Sequence, residues 1–203
     1  MLDAALRRLI DPPLERAAAR IAGLGITANQ ITLAGFLVGL LALPALAAQR
    51  YDLALAAILA NRLADGLDGA VARQRGGGSD LGGFLDIACD FVFYSAVPFG
   101  FALAEPANAL PAAFVIFSFV GTGSSFLAYA VIAAKRGLST SLHGRKSLYY
   151  LGGLTEGSET IAFLAAICLF PAAFGTLAWI FGGLCWITTA SRLLAGRQSF
   201  RDG

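Results

Sequence analysis

The chain has 203 residues, of which 57% are hydrophobic and 14% charged, with a mean hydropathy of +0.70 and a formal net charge of +2. A soluble domain carries about a quarter charged residues, so this composition excludes an ordinary water-soluble enzyme, and the small net charge gives no footprint for a nucleic-acid partner. The length leaves room for roughly six membrane spans of ~20 residues and no separate soluble domain, so one membrane domain over 1–203 is expected.

Residues 1–25 come first. Leu2, Leu6, Leu9, Ile10, Leu14 and Ile21 alternate with Arg7, Arg8, Arg16 and Arg20, the pattern of an interfacial amphipathic segment. Pro12-Pro13 is expected to break it. Asp11, the two prolines and four arginines leave no apolar run of the kind a signal peptide needs. Apolar stretches follow at 29–48, 52–74, 81–104, 108–134, 148–171 and 174–195. The expected fold is therefore all-α and integral to a membrane. An N-terminal amphipathic interfacial helix precedes a bundle of six transmembrane helices over 29–195.

Charge asymmetry predicts the orientation. One side receives Arg7, Arg8, Arg16, Arg20, Arg73, Arg75, Lys135, Arg136, Arg145, Lys146, Arg192, Arg197 and Arg201, whereas the other receives Arg50. Both termini are expected on the cytoplasmic side of a bacterial-type inner membrane. Cys89, Cys168 and Cys185 lie in apolar runs at unrelated spacings and suggest packing rather than disulfides or metal binding.

The second and third stretches are the unusual ones. They carry Asp65, Asp68, Asp86 and Asp90, and carboxylates persist near hydrocarbon mainly where they pair, bind ions or line a wet cavity. Asp65 and Asp68 are three apart, Asp86 and Asp90 four apart, so each pair shares one helix face. Two such faces turned together make a four-carboxylate cage. Like charges that close cannot all stay ionised without cations, and hard oxygen ligands suit Mg2+ or Mn2+. The short connection between the stretches puts the cage at the cytoplasmic boundary. Gly66, Gly69, Gly82 and Gly83 are expected to let helices or a ligand approach the backbone.

The spacing Asp-x-x-Asp-Gly-x-x-Ala-Arg, eight residues, Gly-x-x-x-Asp-x-x-x-Asp resembles the signature of the CDP-alcohol phosphotransferases (CDP-alcohol phosphatidyltransferases), integral membrane enzymes that make phospholipid head groups. Asp65, Asp68, Gly69, Ala72, Arg73, Gly82, Asp86 and Asp90 fill every fixed position. Asn29 and Thr32 resemble the family's Asn-x-x-Thr segment near the cytidine. The resemblance implies attack by a small alcohol on the distal phosphorus of a CDP-linked lipid, usually CDP-diacylglycerol, with release of CMP. It assigns one or two Mg2+ or Mn2+ ions to Asp65, Asp68 and Asp86, with Asp90 as general base and a further metal contact. The CDP site would comprise Asn29, Thr32, Asp68, Gly69, Ala72, Arg73 and Gly82. Homodimers occur in the family. The chemistry suits the residues, because a carboxylate cage approaches a pyrophosphate only through bridging cations, and an attacking hydroxyl needs a base within hydrogen-bond reach.

The acceptor is less constrained. The short chain, the basic loop and the overall resemblance to phosphatidylglycerophosphate synthases favour glycerol 3-phosphate, with an inositol phosphate, a polyol or an amino alcohol as alternatives. Lys135, Arg136, Arg145 and Lys146 flank the expected cytoplasmic mouth and are candidates for an acceptor phosphate. Glu156 and Glu159, placed within the fifth stretch on one face, are candidates for acceptor hydroxyls or an amine; the plainer alternative is pairing with Arg62 or a polar interhelical bond. His143 reads as a solvated loop residue, Gly76-Gly77-Gly78-Ser79 as a turn rather than a phosphate loop, and Gly121–Ser125 as a small-residue packing face. Tyr149, Tyr150, Trp179 and Trp186 suit interfacial anchoring or packing. A function of another class, a divalent-metal-dependent carrier, would use the same aspartates, but the internal repeat usual in such proteins is not evident.

Overall fold

The structure, a computed structural model, describes residues 2–137 and 154–201, and of residues 2–11 the backbone alone. Every regular element among the described residues is helical. In chain order these are α1 (Leu2–Gly23), α2 (Ala28–Leu40), α3 (Ala42–Ala47), α4 (Tyr51–Gln74), α5 (Asp80–Ala104), α6 (Ala109–Lys135), α7 (Gly157–Leu169) and α8 (Phe174–Phe200). Short 3-10 turns at Pro106–Asn108 and Pro171–Ala173 lead into α6 and α8. The chain forms two compact units, Met1–Ala104 and Glu105–Gly203.

Four stretches are long and apolar enough to cross a membrane: Ala28–Ala47, Asp80–Ala104, Pro106–Lys135 and Pro171–Phe200. They match the first, third, fourth and sixth stretches expected from hydropathy. Their outward positions carry large apolar side chains such as Leu37, Phe84, Phe117 and Leu193, each more than half exposed, as a lipid-facing surface requires. Helix α4 is 24 residues long, about 36 Å at helical rise and enough for a hydrocarbon core of about 30 Å. It falls outside that apolar class because Asn61, Arg62, Asp65, Asp68 and Arg73 interrupt it. The described part of the fifth stretch is the 13-residue α7, with 138–153 outside the described residues.

One local expectation is corrected. Pro12-Pro13 does not break the first segment, which is helical from Leu2 to Gly23. Proline already holds φ near the helical value, so each ring costs the helix a hydrogen bond rather than its trace. The first span, expected at 29–48, runs over Ala28–Ala47, and its helix is interrupted at Leu41 between α2 and α3. Pro44 explains this, because it cannot donate to the carbonyl of Leu40 and its ring crowds that carbonyl.

In the first unit α4 packs against α1, α2 and α3, and α5 against α2 and α3. The α2–α4 crossing is close because glycines of α2 face it. A Cβ on Gly39 would stand 2.9 Å from the Asn61 side chain and from Phe93, and one on Gly35 would overlap Ala64. Gly100 of α5 meets Leu46 in the same way, at 2.8 Å. Thus Gly35, Gly39 and Gly100 carry the tightest helix packing of this unit, whereas Gly83 faces open space. Ala18, Ala70 and Val71 form the buried contact between α1 and α4. At the turn into α4, Gln49 adopts a positive φ of 57° and its side-chain amide donates to the carbonyl of Ala104 at 3.3 Å.

In the second unit α6 packs along α8. The small-residue stretch of α6 forms this face as expected: a Cβ on Gly121 would meet Thr189 and Trp186 at 3.1 Å. Phe163 of α7 stacks on Phe181 of α8, with ring centroids 4.2 Å apart and planes 4° from parallel.

Candidate active site

Helix α2 begins with a reciprocal cap. Gln30 N–H donates to Thr27 Oγ1 at 3.3 Å, and Thr27 N–H donates to Gln30 Oε1 at 2.9 Å. This satisfies two otherwise orphaned donors and fixes where the helix starts. Asn29 and Thr32 then lie one turn apart on α2. Thr32 Oγ1 is 2.5 Å from Asp68 Oδ2 and 3.1 Å from the carbonyl of Ala28, so Asp68, only 8% exposed, is tied to α2.

Helices α4 and α5 supply the rest. Asp65 sits one turn before Asp68 on α4, while Asp86, Asp90 and Tyr94 follow one another at four-residue intervals on α5. One carboxylate oxygen from each of Asp65, Asp86 and Asp90 lies within 4.8 Å of the others. Hard oxygen donors converging in this way fit a divalent cation. Asp68 lines the same cleft, beside Thr32, Asn61, Arg62 and Cys89. The expected four-carboxylate cage is thus three converging carboxylates and a fourth turned toward a threonine. The threonine hydroxyl gives one Asp68 oxygen a near, uncharged donor, and the carboxylate keeps its charge beside the other three.

Arg62 is the main addition that sequence reasoning did not place in the site. Its Nη2 lies 2.6 Å from Asp90 Oδ1 and its Nη1 3.4 Å from Asp90 Oδ2. Nη1 also donates to Tyr94 Oη at 3.0 Å and stands 3.7 Å from Asp65 Oδ1. Tyr94 O–H donates to Asp90 Oδ2 at 2.9 Å. The signal was helical periodicity: Arg62 precedes Asp65 by three residues and Tyr94 follows Asp90 by four, each adding a turn to the polar face.

The remaining candidates divide by location. Gly82 opens α5 directly against Asn29, because a Cβ there would lie 3.0 Å from Asn29 Oδ1. Its N–H donates to Ser79 Oγ at 3.0 Å, which gives Ser79 a capping role. Arg73 lies alongside Gly69, where a Cβ would be 3.5 Å from Nη1. The Ala72 carbonyl accepts from Gly77 N–H at 2.9 Å where α4 stops, and Gly76 and Gly77 take positive φ values of 96° and 122°. The glycine run is therefore a helix stop, as its composition suggested. The residues expected around CDP thus gather at the facing ends of α2, α4 and α5.

Of the acceptor candidates, Lys135 ends α6 and Arg136 donates to the carbonyl of Phe200 at 3.2 Å. Arg145, Lys146 and His143 lie outside the described residues. Glu156 and Glu159 are at the start of α7. Glu159 Oε2 accepts from Glu156 N–H at 3.1 Å and from Ser158 O–H at 3.1 Å. Their three-residue spacing is the spacing of an N-terminal cap, and the helix start favours their negative charge. Arg62, considered as their partner from sequence, is engaged by Asp90 and Asp65.

Comparison with known proteins defines the class. The family model described as CDP-alcohol phosphatidyltransferase matches residues 25–191. The chain belongs to the CDP-alcohol phosphatidyltransferase family and is an integral membrane protein. It is 54% identical over 203 residues to the inner membrane protein YnjF of Escherichia coli strain K12, covering 100% of this chain and 98% of that one. It is 33% identical over 199 residues to the archaetidylinositol phosphate synthase of Pyrococcus horikoshii, covering 98% of each. The crystal structure of Mycobacterium tuberculosis phosphatidylinositol phosphate synthase with CDP-DAG bound has a similar fold. It superposes with a TM-score of 0.68 at 25% identity, covering 91% of this chain and 93% of that one.

Proposed function

We propose that this protein transfers a substituted phosphate group from a CDP-linked lipid, CDP-diacylglycerol in a bacterial membrane, to a phosphorylated polyol of the inositol phosphate type, releasing CMP. The observation that carries the reading is the convergence of Asp65, Asp86 and Asp90 oxygens within 4.8 Å, on the positions the family signature reserves for acid residues. Support for the donor comes from the CDP-DAG complex of the mycobacterial structure. Support for the acceptor comes from the name of the archaeal relative, an inositol phosphate synthase covered almost end to end. Glycerol 3-phosphate, favoured by sequence alone, becomes the second acceptor to test.

In this reading Asp65, Asp68 and Asp86 hold Mg2+ or Mn2+, with Asp90 within reach of the same ion. Such an ion neutralises charge on the diphosphate and orients it for displacement. Asn29, Thr32, Gly69, Ala72, Arg73 and Gly82 surround the CDP moiety. Gly82 and Asn29 lie close together, a Cβ at 82 standing 3.0 Å from Asn29 Oδ1, and Arg73 suits phosphate oxygens through its fork. Asp90, 27% exposed in its side chain, faces the cleft and takes the proton of the acceptor hydroxyl. As the acceptor oxygen bonds to the lipid-bearing phosphorus, the bond from that phosphorus to the bridging oxygen breaks. CMP leaves with the electron pair. Arg62 and Tyr94 keep Asp90 in place during this transfer.

The same reading has six spans, with α4 and the fifth stretch completing the four apolar ones, and both termini and the cleft in the cytoplasm, where CMP and a polyol phosphate are soluble. The family model spans both compact units, and we treat the chain as one functional domain. The test is CMP release from CDP-diacylglycerol with Mg2+ or Mn2+ across inositol phosphate, glycerol 3-phosphate, inositol and amino alcohols. CMP release that depends on inositol phosphate and is absent from Asp90→Asn is expected. Release with glycerol 3-phosphate alone would replace the acceptor, and no release with any acceptor from protein that binds donor would remove the reaction.

A further inference from the structure

The cluster of carboxylates contains its own cation. Arg62 projects from α4 into the same cleft as the aspartates, and its side chain is only 10% exposed. It contacts two of the three converging carboxylates, at 2.6 Å from Asp90 Oδ1 and 3.7 Å from Asp65 Oδ1. A guanidinium stays charged at any working pH and offers five donors in a rigid fork. Three of its neighbours brace it. Asn61 Oδ1 accepts from Nε at 2.8 Å and from Nη2 at 2.5 Å. Asn61 is itself buried, and its amide nitrogen donates to the Gly35 carbonyl at 3.0 Å, so its oxygen is held toward the arginine. The Phe93 and Tyr94 rings lie 5.1 Å and 5.2 Å from the guanidinium carbon, an arrangement that favours a cation. A surface ion pair has no such brace.

We propose that Arg62 takes the place of a second divalent ion, neutralising the Asp65–Asp90 side of the cluster so that the site loads a single Mg2+ or Mn2+, and that it positions Asp90 by the same contacts. The role rests on the aspartates being metal ligands, as proposed above. The charge count supports it. Four carboxylates and one guanidinium leave a net charge of −3, and one divalent ion brings that to −1 before a diphosphate binds. A second ion would have to displace a nine-tenths-buried guanidinium from Asp90, leaving it among aromatic rings without its carboxylate, an outcome that burial makes costly. Asp90, held by the fork and by Tyr94, keeps its carboxylate aimed into the cleft.

Manganese binding tests this without reference to activity. The full chain in lipid nanodiscs is titrated with Mn2+ and followed by electron paramagnetic resonance, which counts bound ions and detects a spin-coupled pair. Wild type is expected to bind one Mn2+ and show no coupled pair. Arg62→Gln, which keeps polarity and loses the charge, is expected to bind two, with second-ion affinity raised on the order of a hundredfold. Arg62→Lys, which keeps the charge without the fork, is expected to remain at one. Two ions of similar affinity in wild type, or one ion in Arg62→Gln, would overturn the proposal while leaving the metal site intact. No Mn2+ in wild type would overturn the metal reading itself. If Arg62→Gln does not fold, Asn61→Ser takes its place. By loosening the brace it is expected to admit a second ion at higher Mn2+, and a single ion at all concentrations would sink the proposal.

Discussion

Thr32 and Asp68, 36 residues apart, are joined by a hydrogen bond of 2.5 Å from Thr32 Oγ1 to Asp68 Oδ2. The bond links α2, which begins at the threonine cap, to the acidic face of α4. It also orients Asp68, which lines the same cleft as the three carboxylates that converge. A residue expected near cytidine and a residue expected near metal are therefore one structural unit, and the end of α2 is positioned by the acid motif itself.

Thr32→Val keeps the shape and removes the hydroxyl. A hydrogen bond to a charged group contributes about 1.5–3 kcal/mol, so donor binding is expected to weaken by about tenfold to a hundredfold. The effect should fall on KM for the CDP-lipid more than on kcat, because Asp90 is not touched. Steady-state kinetics at saturating acceptor measures this split. An unchanged KM with normal folding would mean that the pairing does not position the donor site.

Gly39 has no space for a side chain. A Cβ there would stand 2.9 Å from Asn61 and from Phe93, the two residues that brace Arg62. Gly39→Ala is expected to destabilise the protein by about 1–3 kcal/mol through overpacking and to lower turnover by displacing Arg62 and with it Asp90. Thermal unfolding in detergent and CMP release read the two effects. Gly83→Ala is the control: nothing lies within 4 Å of that position, so it is expected to be near neutral in stability.

Glu159 accepts the Glu156 N–H at 3.1 Å, and this separates a capping role from an acceptor-binding one. Glu159→Ala is expected to cost about 0.5–1 kcal/mol in the stability of α7, with acceptor selectivity unchanged. Glu159→Gln should be close to wild type, since glutamine serves the same position in a capping box. A change of preferred acceptor in Glu159→Gln would return the pair to the acceptor site.

Much of this was legible in the sequence because carboxylates in apolar surroundings have few uses. Spacings of three and four residues placed Asp65, Asp68, Asp86 and Asp90 on facing helix surfaces, and hydropathy found the four long apolar stretches. The division of labour among the aspartates was not legible, because it depends on which neighbour each side chain meets: Thr32 for Asp68, Arg62 and Tyr94 for Asp90. The glycines that permit close packing were legible in part. Gly66 and Gly82 do meet Leu14 and Asn29 closely, at 3.0 Å from a Cβ, but Gly35, Gly39 and Gly100 are set tighter still against a neighbouring helix of the first unit. Glu156 and Glu159 were legible as a pair on one face but not as the N-terminal cap of α7, which depends on where that helix starts. Pro44 did carry a readable signal, since a proline within an apolar run ends the hydrogen-bond ladder four residues earlier.

The two ends of the acid motif should fail in different ways. Asp90 lies at the cleft with both oxygens oriented by Arg62 and Tyr94, the arrangement of a base held for one direction of proton transfer. Asp90→Asn keeps the size and most hydrogen bonds but removes the proton acceptor, so turnover is expected to fall by about 10²–10⁴-fold with CDP-lipid binding within a few-fold of wild type. Asp65 is the carboxylate that converges with both Asp86 and Asp90 and has a weaker hold from Arg62, at 3.7 Å. Asp65→Asn is expected to raise the Mg2+ concentration for half-maximal CMP release by at least about tenfold, as the loss of one charged ligand implies, and to recover partial activity at high Mg2+. Asp90→Asn should show no such recovery. The discriminating measurement is a Mg2+ titration of both variants at fixed donor and acceptor. Metal rescue of Asp90→Asn alone would exchange the two roles, making Asp90 the ligand and leaving the base to be sought elsewhere in the cleft.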